Sequence, residues 1–423
     1  MRVDLGDLII SDDTNEIDEN TYFLKTFQNE KYLPDLKKYK KIISPKEAFG
    51  LLGIDEDIKI VGITGTNGKT TTAAAIYSIL LDLGKSVAMQ GTRGFYINST
   101  LKEEKSLTTP PILQILYHLH LATKEKCQYF IMEVSSHAIF QRRIEGLKFA
   151  LKIFTNLSQD HLDFHQNMQE YARVKNSFFE DEGLKLINKD DPHVRYNVKG
   201  ARTYGVENQA TYKVSAYSLK NGIDAVMLNG DKTIEFHSPL RGFFNLYNLA
   251  CAISAVHLLE NPKNFDMVEN FAGVSGRMEV VHENPAVIVD FAHTPDGMEK
   301  VLDALKSENL VVVFGAGGDR DKTKRPLMAK VACRYANKIY ITSDNPRSEK
   351  PESIIADITK NLQTNKKVFI EKDRKKALHL ALENLQPHET LMILGKGDET
   401  YQEINGVKYP FDDREIVRTF YKI

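Results

Sequence analysis

The chain has no tryptophan, only three cysteines in 423 residues, and almost no net charge, with 56 Lys and Arg against 57 Asp and Glu. A near-neutral balance disfavours a globally basic nucleic-acid binder. Cys127, Cys251 and Cys333 lie far apart, form no CxxC pair and outline no disulfide framework. They are expected to be small buried hydrophobes in a reduced, cytoplasmic setting. No uninterrupted apolar run approaches the ~18 residues of a membrane span, so membrane insertion is not expected. Residues 1–20 are acidic and lack the apolar core of a signal peptide. Tandem repeats and low-complexity tracts are also missing. What is present is ordinary for folded protein, 42% hydrophobic and 27% charged. At ~150 residues per domain the length suggests about three domains.

Residues 1–55 are polar and mixed, with weak strand signals such as Tyr22–Leu24. From Ile58–Ile63 onward, short β-branched runs alternate with helical patterns: Lys69–Leu83, then Tyr129–Val134 and His137–Ile144, then Ala150–Phe154 and Met168–Glu180. Such βα alternation predicts a parallel sheet covered by helices. Around Asn221-Gly222 and Asn229-Gly230 the period becomes two, which predicts a small antiparallel meander. A helix over Leu246–Leu259 follows, and Gly273–Arg277 reads as a linker. A second βα series has strands at Ala286–Asp290, Leu310–Phe314, Lys338–Thr342, Lys367–Ile370 and Thr390–Leu394. The expected fold is α/β in three domains. A short N-terminal α/β domain spans 1–55. A central P-loop-type domain, mostly parallel with the meander, spans 56–273. A Rossmann-like C-terminal domain spans 274–423.

The sharpest local signal is Gly65-Thr66-Asn67-Gly68-Lys69-Thr70-Thr71, set between a predicted strand and a predicted helix. Glycines let backbone N–H groups approach phosphate oxygens, and the helix N-terminus adds a positive dipole end. Lys69 can reach the β and γ phosphates, and Thr70 can offer its hydroxyl to Mg²⁺. The strict GxxxxGK[ST] pattern fails, because Ile63 stands where its first glycine belongs. The dinucleotide fingerprint fails too, since Arg320 occupies the third glycine's place in Gly315–Arg320.

Glu133 ends a predicted strand, where ligands collect in open α/β sheets, and a carboxylate there suits Mg²⁺. The alternative is an N-cap cluster for the next helix. Asp160-His161-Leu162-Asp163-Phe164-His165 also follows a strand end. A zinc pair from His161 and His165 lacks an evident third ligand, so a single histidine assisting a magnesium site is the better reading. Lys175 falls on the apolar stripe of its helix, beside Tyr171, Val174 and Phe178. Such a lysine usually snorkels. A buried one instead loses its proton readily and can take up CO₂ as a carbamate.

Together these residues resemble the ATP-dependent Mur ligases of peptidoglycan synthesis, most nearly the branch that adds the third amino acid. The landmarks stand in family order from about residue 58 onward: GTNGKTT at 65–71, TTP at 108–110, EVSSH at 133–137, TNLSQDHLDFH at 155–165, GFFNLYN at 242–248, GRME at 276–279, DFAHTPD at 290–296, GGDRDKTKRP at 317–326, SDNPR at 343–347 and GKGDE at 395–399. The resemblance implies an ATP-dependent acid–amino-acid ligase of cell-wall biogenesis, cell shape and cell division. It would join meso-diaminopimelate to the D-glutamyl γ-carboxylate of UDP-MurNAc-L-Ala-D-Glu through an acyl phosphate, as a cytoplasmic monomer. Gly65 to Thr71, with Asn248, Arg277 and His293, would hold ATP. Thr70 and Glu133 would bind one Mg²⁺, and His161 with Lys175 as N6-carboxylysine would serve a second. Lys69, His161 and Lys175 would be the catalytic groups. Thr108, Thr109, Ser135, Gln141 and Arg143 would hold the UDP-linked dipeptide. Arg320, Asp344, Asn345, Pro346, Arg347, Gly395 and Glu399 would hold the incoming amino acid.

Arg347 bears on that amino acid: a guanidinium matches the distal carboxylate that diaminopimelate has and lysine lacks. Two departures stand out. Only 57 residues or so precede the first phosphate-loop strand, and Asp13-Thr14-Asn15 lacks the arginine of the family's uridine contact. Asp398 stands where the family usually has histidine. The rival readings are a lysine-adding relative, a folylpolyglutamate-synthase-like ligase, and a P-loop regulatory protein that hydrolyses ATP without making an amide.

Overall fold

The computed structural model describes every residue except 36, 37, 105, 106 and 307, and only the backbone of 34, 35 and 163. At its centre lies the strand Lys59–Thr64, buried on both faces beyond its first residue, which is why it reads as a near-continuous apolar run. It pairs in parallel with Tyr129–Glu133 on one side and Phe149–Phe154 on the other. The register sets Ile63 opposite Glu133 and Thr64 opposite Phe154. Three consecutive strands therefore end at one level. The segments that follow them, Gly65–Thr71, Glu133–Ser136 and Thr155–His161, emerge along one edge of the sheet.

The central sheet has eleven strands. Beyond Tyr129–Glu133 lie Val87–Gly91 and the antiparallel pair Gly94–Ile97 and Thr100–Glu103. Beyond Phe149–Phe154 come Lys185–Asn188 and Ala201–Gly205, both parallel. The expected meander is present as Tyr212–Ser218, Ile223–Asn229 and Lys232–Ser238. It is not a separate sheet, because Tyr204 pairs in parallel with Tyr212 and fuses it to the central edge. Two expected helices are shorter than the sequence suggests. Ser136–Phe140 stops before the left-handed Arg142 (φ 52°), and Met168–Ser177 ends before Phe178.

The helix Phe243–Glu260 runs four residues further in all than its apolar pattern predicts. By length and composition alone it could cross a membrane, but most of it is buried. Its alanines Ala250, Ala252 and Ala255 share one apolar cluster with Ala73, Ala74 and Ala75 of the helix Lys69–Asp82. Small residues on both helices allow close packing over the sheet.

The C-terminal sheet orders its six strands as Glu279–Glu283, Ala286–Asp290, Glu389–Leu394, Asn309–Phe314, Lys338–Ile341 and Lys367–Ile370. Only the first is antiparallel. Apolar clusters on both faces make it a Rossmann-like layer structure. A hairpin, Tyr401–Ile404 with Val407–Pro410, forms a separate two-stranded sheet that meets the loop at Arg347 through Ile404. The N-terminal segment forms a four-stranded sheet and the helix Pro45–Leu51, started by a Ser44–Glu47 capping box. Its Val3, Ile10, Leu24 and Ile43 join Ile60 and Phe130 in one cluster, so this segment shares its core with the central sheet. Cys127 and Cys251 are buried, whereas Cys333 is only partly so.

Leu24 is fully buried in that shared cluster. Leu24→Ala is expected to destabilise the folded chain by ~2–5 kcal/mol, read as a lower denaturation midpoint. An unchanged midpoint would show that the N-terminal segment contributes no core.

Candidate functional site

The phosphate loop is held from below. The backbone N–H of Asn67 donates to Asn156 Oδ1 (3.0 Å), and its carbonyl accepts from Thr155 Oγ1 (2.7 Å) and Asn156 Nδ2 (3.0 Å). Gly68 adopts φ 83° and caps the helix Lys69–Asp82, and a side chain there would collide with Asn248. Lys69 Nζ donates to the carbonyls of Gly65 (2.8 Å) and Thr66 (2.9 Å). Burial holds its pKa below the ordinary lysine value.

Glu133 is buried and organised by hydroxyls. Thr70 Oγ1 donates to its Oε2 at 3.0 Å, the Thr92 N–H to its Oε1 at 2.8 Å, and Thr92 Oγ1 lies 3.3 Å from Oε2. Gly91 allows this approach, since a side chain there would overlap the carboxylate. A carboxylate beside a threonine hydroxyl at a phosphate loop is an oxygen donor set that fits Mg²⁺, which keeps several waters and phosphate oxygens as its other ligands. Among the described residues no cluster of three His, Cys, Asp or Glu forms a preassembled metal cage. Thr92 was not singled out from sequence; nothing local marks it, and only strand pairing brings it to Glu133.

Lys175 lies beneath the loop, 2% exposed. Its Nζ donates to the Gly65 carbonyl at 2.8 Å and sits 5.0 Å from the centre of the Tyr171 ring. Burial, with the Lys69 charge second, pushes its pKa well below the usual lysine value. The stripe position thus buries the amine and does not snorkel it. A neutral amine is the state that takes up CO₂.

Asp160 and His161 form a tightly coupled pair, with His161 Nε2 3.4 Å from Asp160 Oδ2. His161 is left-handed at φ 55°. Burial opposes its protonation more than Asp160 favours it, so its pKa is lowered. Asp160 is held low despite burial by His161, His293 and Lys324. His165 faces elsewhere, its Nε2 2.8 Å from Ser136 Oγ, so His161 and His165 do not form a zinc pair.

The residues assigned to the dipeptide form a connected group. Thr109 Oγ1 donates to the Glu133 carbonyl (3.0 Å) and accepts from the Ser135 N–H (2.9 Å). Arg143 donates to the Thr109 carbonyl (2.7 Å) and to Gln141 Oε1 (2.6 Å). Gln28, from the N-terminal segment, reaches Gln141 Oε1 at 3.0 Å. Asp13 and Asn15 instead bond to each other in a surface turn.

Across the cleft, Arg277 stacks 4.3 Å from the Phe291 ring centre, and burial lowers the His293 pKa. Asp344 is buried, yet Lys396 and Arg374 hold its pKa low. Asn345 Nδ2 donates to Glu399 Oε2 (2.8 Å), and Lys396 Nζ bonds both Asn345 Oδ1 (3.1 Å) and Glu399 (2.9 Å). Arg347, left-handed at φ 51°, donates to the Gly318 carbonyl (2.8 Å) and faces Glu403 (3.3 Å). Glu403 and Tyr401 belong to the hairpin, which the sequence reading passed over although Asn405-Gly406 marks its turn.

A single cleft of about 1010 Å³ is lined by Thr66 to Thr71, Thr108, Glu133, His161, Asn248, Arg277 and His293 together with Arg320, Asp344, Asn345, Arg347, Gly395 and Glu399. Lys175 and Gly65 lie under its floor. Thr109, Ser135, Gln141 and Arg143 do not line it and connect to it through the Thr109 bond to Glu133, and Pro346 backs onto Gly318.

Residues 63–256 match the family model for the Mur ligase middle domain, and residues 276–397 that for the Mur ligase glutamate ligase domain. A Helicobacter pylori (strain J99) protein named UDP-N-acetylmuramoyl-L-alanyl-D-glutamate–2,6-diaminopimelate ligase is 50% identical over 97% of this chain and 95% of its own length. A solved structure bearing the same name superposes with a TM-score of 0.66, 31% identity and coverage of 97% of this chain and 93% of its own. A bifunctional folylpolyglutamate synthase/dihydrofolate synthase, solved with Mn, AMPPNP and L-glutamate, shares the fold at a TM-score of 0.66 and 19% identity, covering 88% and 95% of the two chains.

Lys175→Met replaces the buried amine with an apolar side chain of similar length. In bicarbonate-free buffer at pH 7 the variant is expected to melt no lower than the parent, because an amine with a lowered folded pKa opposes folding wherever the unfolded chain holds the proton. That penalty fades as pH rises toward the unfolded lysine value, so any advantage of the variant should shrink between pH 7 and 10. A marked loss of melting temperature at pH 7 would overturn the unfavourable burial.

Proposed function

The chain belongs to the Mur ligase family, and from that premise we propose that it joins meso-diaminopimelate to UDP-MurNAc-L-Ala-D-Glu at the cost of ATP. The observation that carries this reading is the common cleft, which faces a phosphate loop with the Asp344–Arg347 and Gly395–Glu399 loops. A nucleotide hydrolase that makes no amide has no need of the second wall. The names of the relatives support the same substrates.

A carboxylate is a poor electrophile, and phosphorylation gives it a good leaving group. The D-glutamyl γ-carboxylate attacks the γ-phosphorus of ATP, forming an acyl phosphate and releasing ADP. The diaminopimelate amine then attacks the acyl carbon, and phosphate leaves. Lys69 and the N–H groups of Gly65 to Thr71 hold the phosphates, with Asn248, Arg277 and His293 closing the nucleotide end. Mg²⁺ held by Thr70 and Glu133 would neutralise phosphate charge, and a second ion would be served by His161 and by Lys175 as its carbamate. Thr108, Thr109, Ser135, Gln141 and Arg143 place the dipeptide. Asp344 and Glu399 receive ammonium groups, and Arg347 pairs with the distal carboxylate. The protein's main contribution is alignment of two anions and an amine.

The deciding assay is ADP release with UDP-MurNAc-L-Ala-D-Glu and, in parallel, diaminopimelate, lysine or ornithine. Release that needs both dipeptide and diaminopimelate is expected, with Arg347→Ala weakening diaminopimelate use roughly ten- to hundred-fold, as loss of a charged hydrogen bond does. Equal use of lysine by the parent would overturn the assignment. Lys175→Ala should be inactive and regain part of its activity with added formate or acetate; a fully active variant would remove the carbamate.

A further inference from the structure

We propose that Asp296 is a positioning residue that latches the C-terminal unit onto the phosphate loop, an inference that rests on the ligase reading above. Asp296 lies in the first turn of the helix Pro295–Asp303, which begins at the Thr294 cap and belongs to the C-terminal sheet's layer. Its Oδ2 gathers three donors: Asn67 Nδ2 at 2.8 Å, Ser158 Oγ at 2.9 Å and Lys300 Nζ at 2.9 Å. Lys300 lies one turn along the same helix, so it orients the carboxylate whatever the central unit does. The other two donors come from across the cleft.

Those two donors are not arbitrary surface groups. Asn67 is the middle residue of the phosphate loop, and its backbone is already pinned by Thr155 and Asn156. Its side chain is the part that leaves the central unit, and it lies against Gly297 of the C-terminal helix. Ser158 sits in the segment that leads to Asp160 and His161, and its N–H donates to Thr66 Oγ1 at 3.0 Å. One carboxylate oxygen therefore ties the amino-acid-binding unit to the phosphate loop and to the histidine-bearing segment at once. Gln159 also reaches Asp321 and Thr323 at 3.3 Å, and Lys324 lies 4.0 Å from Asp160, both longer than the Asp296 contacts. Attack on an acyl phosphate needs the amine within bonding reach of the acyl carbon. The latch makes that approach depend on an ordered phosphate loop.

The test compares Asp296→Ala, Asp296→Asn, Ser158→Ala and the Asp296→Ala/Ser158→Ala double variant in the full chain. The readouts are kcat, KM for diaminopimelate, ATP affinity of the enzyme alone, melting temperature, and radius of gyration with ATP bound. Asp296→Ala should lower kcat/KM for diaminopimelate roughly ten- to hundred-fold, the scale of hydrogen bonds to a charged group. Its ATP affinity should change by less than about threefold, because loss of the latch falls on closure. Asp296→Asn should recover part of the loss, since a carboxamide oxygen still accepts from Asn67 and Ser158. The double variant should be no worse than Asp296→Ala alone, and Asp296→Ala with ATP should scatter as a more open particle. Unchanged kcat/KM and radius in Asp296→Ala overturns the latch. So do losses that multiply in the double variant, or an activity loss matched by a lowered melting temperature. A parent that makes no amide, yet opens when Asp296 is replaced, overturns the ligase reading and keeps the latch.

Discussion

A loop that turns its N–H groups toward an anion must turn carbonyl oxygens the other way, and those carbonyls need donors. Here the Gly65 carbonyl takes two, Lys69 and Lys175, each at 2.8 Å. Lys175 is buried and Lys69 half-buried; burial lowers the pKa of both, and after burial itself both charges oppose protonation of His161. Asp160 stays ionised nearby despite its burial, and His161 is kept neutral next to it. Tyr171 lies between these groups, its ring under Lys175 and its hydroxyl 3.1 Å from Thr66 Oγ1. A carbamate on Lys175 would replace a neutral buried amine with an anion close to Lys69.

The second constraint is geometric. Parallel pairing brings Thr64, Glu133 and Phe154 to within one residue of the same level, so phosphate loop, carboxylate and histidine segment emerge together. The C-terminal sheet obeys the same rule, with its loops after Asp290, Phe314, Ile341 and Leu394 facing the cleft. Two strand-end surfaces set against each other line one cavity, with the phosphate loop on one wall and the Asp344 and Gly395 loops on the other. The proposed reaction uses both walls, since neither surface alone could bring an activated carboxyl and an amine together.

These relations divide what a sequence discloses from what it does not. The strands Ala286–Asp290 and Lys367–Ile370 were legible to the residue, because apolar β-branched runs bounded by turn residues have few other solutions. The phosphate loop and Lys175 were legible too, one by local pattern and the other by a charged residue on an apolar stripe. The strands Val87–Gly91, Lys185–Asn188 and Ala201–Gly205 were not. They are short and carry Gln, Lys or Arg, and their pairing partners decide them. The polar hairpin Gly94–Ile97 with Thr100–Glu103 shows little alternation to read. Thr92 and Asp296 act through neighbours distant in sequence, and no local signal reports where a neighbouring strand or another unit comes to rest.

The Asp398 departure shows the same division at one residue. Read in sequence, an aspartate beside Glu399 adds negative charge to the end of the pocket that receives an amine. In the fold its carbonyl lies 3.5 Å from Nη2 of Arg414, whose raised pKa is owed first to Asp412, with Glu279 and then Asp398 adding less. Arg414 in turn contacts Ser275 and lies 3.7 Å from Glu279, at the connection between the central and C-terminal units. The Asp398 backbone thus meets Arg414 beside the inter-unit connection, while Glu399 keeps its own partners, Asn345 and Lys396. By its backbone contact, a residue that reads as altered substrate chemistry also belongs to the join between the Gly395–Glu399 loop and the segment around Ser275.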